Sequence, residues 1–225
     1  MGYFITFEGI EGCGKTTQLR LLKERLQGAG LQVTSTREPG GCPIADKMRA
    51  ILLDSENSAI TPLAELLLYA AARAQHVQEV IVPALERGEI VLCDRFTDAT
   101  LSYQGHGRKL DLATIGELNR LATGGVEPQL TVLIDCPVEV GLSRALARIE
   151  ATSGAREERF ELESVLFHER VRQGYLSLAA AFPARFVIVD GSGDLARTER
   201  LVTEALSNRI PPGKGAGSQA AKAGR

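Results

Sequence analysis

Gly9, Ile10, Glu11, Gly12, Cys13, Gly14, Lys15 and Thr16 run consecutively and fit the pattern G-x-x-x-x-G-K-[ST], with Thr17 directly after. Glycines at these spacings let backbone N–H groups turn inward around a phosphate, and the N-terminus of a following helix adds partial positive charge. Lys15 is placed to reach the β- and γ-phosphates of a nucleoside triphosphate, and the Thr16 hydroxyl to hold Mg²⁺. Glu11 resists the pattern, because it puts a carboxylate inside a loop that embraces a polyanion.

Three other stretches carry residue types suited to a second substrate. In "TREPGG" (36–41), Arg37 and Glu38 run into Pro39-Gly40-Gly41. That fixes unusual backbone at a strand's carboxyl end, where ligands collect in open α/β sheets; a plain strand-to-helix turn reads the same way. Tyr69 and Arg73 are four apart, so a helix puts them on one face. A ring there can stack on a base and an arginine can donate to a base carbonyl or a phosphate, although an ordinary tyrosine with a surface arginine also fits. In "DRFTDATLSYQG" (94–105), Asp94 ends an apolar run, where an acid can meet Mg²⁺ or its waters. Arg95 can hold a phosphate bidentately, and Tyr103 and Gln104 return an aromatic and an amide to the same region. A structural Asp94–Arg95 salt bridge is the competing reading.

Strands and helices must position these groups. Runs at 3–8, 32–37, 89–94, 130–135 and 185–190 are apolar or β-branched without strict alternation, which predicts strands buried on both faces. Helical stretches are expected over 15–27, 44–53, 61 to about 81, 111–122, 138–149, 160–181 and 194–207. The third opens at Thr61-Pro62, an N-cap followed by proline in the first turn. Strands alternating with helices predict an α/β fold with a parallel sheet covered on both faces. The end, "PPGKGAGSQAAKAGR" (211–225), has nothing to bury and is expected to be disordered.

The 225 residues suit one large domain, and 44% hydrophobic with 24% charged residues suits a soluble core. A net charge of −2 argues against a binder of bulk nucleic acid. No apolar run reaches membrane-spanning length and no basic leader precedes the first strand, so a cytoplasmic protein without membrane partners is expected. Cys13, Cys42, Cys93 and Cys136 form no C-x-x-C pair, which fits reduced thiols rather than zinc or disulfides. An ATPase, a GTPase switch and a small-molecule kinase all share the phosphate loop. The chain lacks an N-K-x-D base-reading motif and is short for a motor ATPase, which leaves a compact kinase.

"EGIEGCGKTT", "TREPGG", "YAAARAQH" and "DRFTDATLSYQG" together resemble the motifs of bacterial thymidylate kinases. The resemblance continues through "PQLTVLID" (128–135), "RFE" (159–161) and "RVRQGY" (170–175), and covers residues 3 to about 207. It implies a P-loop NTPase fold with a five-stranded parallel sheet flanked by helices. It further implies one kinase domain over 1–210, with a lid at about 144–161, that phosphorylates dTMP with Mg-ATP. By resemblance, Tyr69 stacks on thymine and Arg73 donates to a thymine carbonyl. Arg95 clamps the dTMP phosphate, with Arg37 and Arg49 as further candidates. Tyr103 crowds the 2′ position of the sugar. Gln104 lies near the base or its neighbouring helix, Thr100 lies at the base edge, and Ala99 replaces a common serine. Glu11 turns to the acceptor sugar or to a Mg²⁺-bound water, and Glu161 is an acid near the acceptor.

Some relatives carry an arginine inside the phosphate loop, and this chain does not, so the missing cation is expected from the lid. Arg148, Arg156 and Arg159 are the candidates there, completing a catalytic set with Lys15, Asp94 and Arg95; Arg144 lies in the same segment. A homodimer packed through the long third helix is implied as well. The alternatives are another nucleoside monophosphate or deoxynucleoside kinase, or a non-catalytic nucleotide-binding regulator.

Overall fold

The computed structural model describes residues 2–151 and 159–210. The tail expected to be disordered at 211–225 and the centre of the expected lid, with Arg156, lie outside the described residues.

Strands β1 (Tyr3–Glu8), β2 (Val33–Arg37), β3 (Ile90–Asp94), β4 (Leu130–Asp135) and β5 (Phe186–Asp190) match the five expected runs within a residue. They form one parallel sheet in the order β2-β3-β1-β4-β5. Phe4, Ile5, Thr6, Phe7 and Glu8 of the central strand are all fully buried, which is why the run shows no alternation. Successive side chains point to opposite faces. Ile5 and Phe7 therefore join the cluster containing Leu19, Leu22 and Leu26, whereas Phe4 packs with Val77, Ile81 and Phe96. Register aligns the carboxyl ends: Asp94 pairs with Phe7 on one side and with Arg37 on the other. The phosphate loop, "TREPGG" and "DRF" thus leave the sheet along one edge.

The helices are α1 (Lys15–Gly28), α2 (Pro43–Leu53), α3 (Pro62–His76), α4 (Val82–Glu86), α5 (Thr97–Thr100), α6 (Leu112–Thr123), α7 (Val138–Glu150), α8 (Val165–Ala181) and α9 (Leu195–Leu206). Thr61 caps α3 by accepting from the Ala64 N–H at 3.5 Å, and Pro62 stands in its first turn, as expected. A π-helical turn over Val77–Ile81 carries α3 into α4, where Pro83 removes a donor from the ladder.

One expectation needs correction. The helix expected from 160 begins at Val165, capped by Ser164, because residues 159–163 form turns pinned against other elements. The stretch 97–107, for which no element was expected, is helical: α5 continues into a π-helix over Leu101–Gly107.

Candidate active site

The phosphate loop hangs between β1 and α1. Gly12 is needed at its apex, for it has φ 66° and a side chain there would meet the Gly141 carbonyl oxygen at 1.9 Å. The converse holds on α7, where a Cβ at Gly141 would lie 2.5 Å from the Glu11 carbonyl oxygen. Loop and helix therefore touch backbone to backbone. Gly14, at φ 98°, opens α1 in a left-handed conformation that directs the following amides inward. Ile10 and Cys13 are buried behind the loop, and burial pushes the Cys13 thiol pKa up. Gly9 leads out of β1, while Thr17 lies half-buried in the first turn of α1.

Lys15 is the first residue of α1, and its buried side chain folds back so that Nζ donates to the Ile10 carbonyl at 3.1 Å. Thr16 Oγ1 donates to Asp94 Oδ2 at the end of β3. Among the described residues no group of three or more His, Cys, Asp or Glu side chains is placed to hold a metal. The hydroxyl–carboxylate pair suits a hard cation that completes its octahedron with phosphate oxygens and water, as Mg²⁺ does.

Opposite the loop opens a cavity of about 520 Å³, whose walls include Lys15, Thr16 and Asp94 on one side and Tyr69, Arg73 and Tyr103 on the other. Arg73, 2% exposed, is tightly held. Its Nε donates to Glu38 at 2.7 Å, Nη1 to Asn119 at 2.6 Å, and Nη2 to the Phe96 carbonyl at 3.0 Å and to Thr100 Oγ1 at 2.9 Å. These bonds engage four of its five N–H donors. Glu38 meets Arg73 with one oxygen and His76 Nδ1, at 3.0 Å, with the other. Burial alone would raise the Glu38 carboxyl pKa, but the Arg73 charge and the His76 contacts outweigh it and hold it low. Glu38 therefore reaches the cavity mainly through Arg73.

Tyr69 lines the same wall, its ring 6.4 Å from that of Phe160 at a tilt of 58°. Ala99, Thr100 and Gln104 also border the cavity, but the Gln104 amide donates to Glu65 on α3 at 2.7 Å, toward the neighbouring helix. Pro39 and Arg49 sit together, with Nη1 donating to the Pro39 carbonyl at 3.0 Å. Arg37 is half exposed and reaches Asp46 at 3.0 Å.

Glu11 lies between the phosphate loop and the opposite wall of the cavity. Its Oε1 accepts from Arg95 Nη2 at 2.9 Å and from the Tyr103 hydroxyl at 2.5 Å. His168 Nδ1 lies 3.2 Å from Oε2 without hydrogen-bond geometry. Burial would raise the Glu11 pKa, but the Arg95 guanidinium leads the opposing contacts that hold it well below the carboxylate range. The carboxylate is thus turned from the loop interior toward Arg95. Arg95 also stacks over the Tyr103 ring at 4.7 Å and donates from Nη1 to the Tyr175 hydroxyl at 3.0 Å.

The segment around the expected lid divides. Arg148 borders the cavity from the last turn of α7, with Nη2 3.4 Å from Glu161 Oε1. Glu161 is itself on the cavity wall, and burial followed by the Glu11 charge raises its pKa. Arg144 instead spans to the β5–α9 loop, donating to the carbonyls of Gly191 at 2.7 Å and of Ser192 and Gly193 at 2.9 Å. Arg159 corrects an expectation. Rather than serving as a mobile cation, it is buried, with Nη1 on Glu65 at 2.7 Å, Nε on the Leu52 carbonyl at 2.5 Å and its guanidinium 4.6 Å from the Phe160 ring centre. It borders a different depression, and its charge is already matched by Glu65.

Sequence reasoning missed Glu8, Glu65, His168 and Tyr175. Glu8 did carry a signal, being the one charged residue in an otherwise apolar or hydroxyl-bearing run. The others sit on helices where a polar residue on a buried face looks like one turned to solvent.

A family model described as thymidylate kinase matches residues 7–202. Thymidylate kinase from Citrifermentans bemidjiense is 79% identical over 224 residues, covering 100% of both chains. The Geotalea uraniireducens thymidylate kinase is 65% identical over 213 residues, covering 95% of this chain and 100% of its own. The crystal structure of Ehrlichia chaffeensis thymidylate kinase superposes with a TM-score of 0.72 at 34% identity, covering 92% of this chain and 98% of that one.

Proposed function

The chain belongs to the thymidylate kinase family, and from that premise we propose how its residues move the γ-phosphoryl group of ATP onto dTMP to give dTDP and ADP. One observation carries the reading. A phosphate loop and a base-sized, arginine-lined wall face each other across a single cavity, with Asp94 and Arg95 bordering both. In-line transfer between two anions depends on positioning and charge neutralisation rather than on a covalent intermediate.

The loop amides and Lys15 hold the β- and γ-phosphates. Thr16 and Asp94 are the residues that would hold Mg²⁺, which when bound would neutralise phosphate charge. Arg95 grips the dTMP phosphate, with Arg37 and Arg49 at the cavity rim. Tyr69 stacks on thymine, Arg73 offers its remaining donor to a base carbonyl, and Tyr103 closes the space beside the sugar. Glu11 faces Arg95, where it accepts from the sugar 3′-hydroxyl or from a bound water. Arg148, which borders the cavity, is a lid candidate for the transferred phosphoryl group, with Arg156 as another.

The domain runs over 1–210 with a lid at about 144–161. Among the described residues no helix is long and apolar enough to cross a membrane, and we place the enzyme in the cytoplasm. We assign it as a homodimer joined through α3 and its neighbour α2. Exposed Leu63 and Leu67 on α3, with Ile44 and Ile51 on α2, support that surface.

Coupled ADP release with dTMP, dUMP, dCMP, dGMP and AMP tests the reading. Strong preference for dTMP is expected. Equal rates with AMP would remove the thymine assignment, and no turnover with any acceptor would remove the kinase assignment.

A further inference from the structure

Arg95 is one of two non-glycine residues with positive φ among those described, at 67°. L-residues disfavour that region, because Cβ crowds the following carbonyl. Something must hold it there. The backbone around it is pinned from several sides: Arg95 N donates to the Phe7 carbonyl at 3.0 Å, and Phe96 N donates to Glu8 Oε1 at 2.7 Å. The second oxygen of Glu8 accepts from the Tyr175 hydroxyl at 2.8 Å. That same hydroxyl accepts from Arg95 Nη1 at 3.0 Å. Glu8 therefore braces residue 95 twice, at the peptide that follows it and, through Tyr175, at its guanidinium.

We propose that Glu8 and Tyr175 are positioning residues for acceptor binding, acting together to fix the left-handed turn at Arg95 and to aim its guanidinium at the phosphate of the nucleoside monophosphate. The inference rests on Arg95 gripping that phosphate. Neither residue touches the substrate, since Glu8 is fully buried, Tyr175 is 1% exposed and neither borders the cavity. Burial and the neighbouring Asp98 raise the Glu8 carboxyl pKa, while the Arg95 charge and the Tyr175 and Phe96 hydrogen bonds oppose that rise. The Phe96 N–H and Tyr175 hydroxyl explain what the acid does there. A nearby second system, Asp98 with Arg185 at 2.6 Å, satisfies itself and does not reach Arg95 directly.

The test is a set of steady-state measurements on the full-length enzyme with Glu8→Gln, Tyr175→Phe, Arg95→Ala and the combinations of each with Arg95→Ala. Glutamine keeps the shape and one acceptor but presents an N–H₂ group to Tyr175. Phenylalanine keeps the ring and removes the bridge. Each of these two variants is expected to raise the KM for dTMP roughly tenfold, the scale of one charge-assisted hydrogen bond, while the KM for ATP stays within about twofold. On the Arg95→Ala background both effects should vanish, because residues acting through one group are not additive. A raised dTMP KM that persists without Arg95 would overturn the proposal, and so would a lowered melting temperature with unchanged KM. If Arg95→Ala raises the dTMP KM while Glu8→Gln and Tyr175→Phe do not, the positioning role fails alone. If Arg95→Ala leaves it unchanged, the assignment of Arg95 fails as well.

Discussion

The phosphate loop makes its half of the cavity from eight consecutive residues, Gly9 to Thr16, and mostly from backbone. The acceptor wall draws Glu38 from the end of β2, Arg73 from α3, Arg95 from the end of β3 and Tyr103 from the helical segment beyond α5. Backbone amides need no side-chain ordering, so the donor half can be specified locally and works as a unit. The acceptor half is a set of buried charges, each of which satisfies another. Removing one member leaves a partner uncompensated in a low-dielectric site. Donor-side substitutions should therefore affect chemistry with little effect on stability, whereas acceptor-side substitutions should affect both.

The sharpest test of that contrast is Lys15→Met. Its Nζ makes one bond, to the Ile10 carbonyl, so turnover should fall about 10³-fold, as for loss of a main transition-state cation, with little change in melting temperature. A large stability loss would put Lys15 with the acceptor-type residues. Arg73→Ala should do the opposite. It strands Glu38 beside His76 alone and should cost about 3–5 kcal/mol of unfolding free energy in urea titrations, together with a higher dTMP KM. Arg95→Ala should raise the dTMP KM about 10²-fold with the ATP KM nearly unchanged, consistent with losing a charged phosphate contact. The reverse pattern would assign Arg95 to the donor.

The smallest effect separates the halves by pH. The Glu38 pKa is lowered in the folded protein, so its contribution to stability is present above the unfolded carboxyl value and is lost as pH falls through the folded one. The stability gap between wild type and Glu38→Gln should accordingly be wide at neutral pH and narrow below about pH 4.5. A gap that stays constant on acidification would mean that the ion pair contributes nothing.

The same contrast explains what was legible in the sequence. The donor loop and all five strands could be read directly, because a contiguous motif and runs of Val, Ile, Leu and Phe are local signals. The helical stretch 97–107 could not. Its buried positions include Asp98, Thr100, Ser102 and Gln104, so hydrophobic periodicity finds no apolar face there. Arg159 looked mobile because it follows "ATSGA", yet its partner Glu65 lies 94 positions away. Tyr175 meets Glu8 across 167 positions. Tyr69, Arg73, Arg95 and Tyr103 are members of motifs, whereas the brace that runs from Glu8 through Tyr175 to Arg95 forms only when the chain is folded.

The contact between Gly12 and Gly141 gives α7 a mechanical property. With no side chain between them, the phosphate loop is a fulcrum on which the helix rests. Arg148 stands seven residues further on, a lever arm of about 10 Å at 1.5 Å of rise per residue. A tilt of about 10° at the fulcrum carries that guanidinium about 2 Å over such an arm. Arg144, tied to the 191–193 loop, acts as a stay that limits the swing. A shift of the loop would in this way be carried outward to Arg148, which borders the cavity.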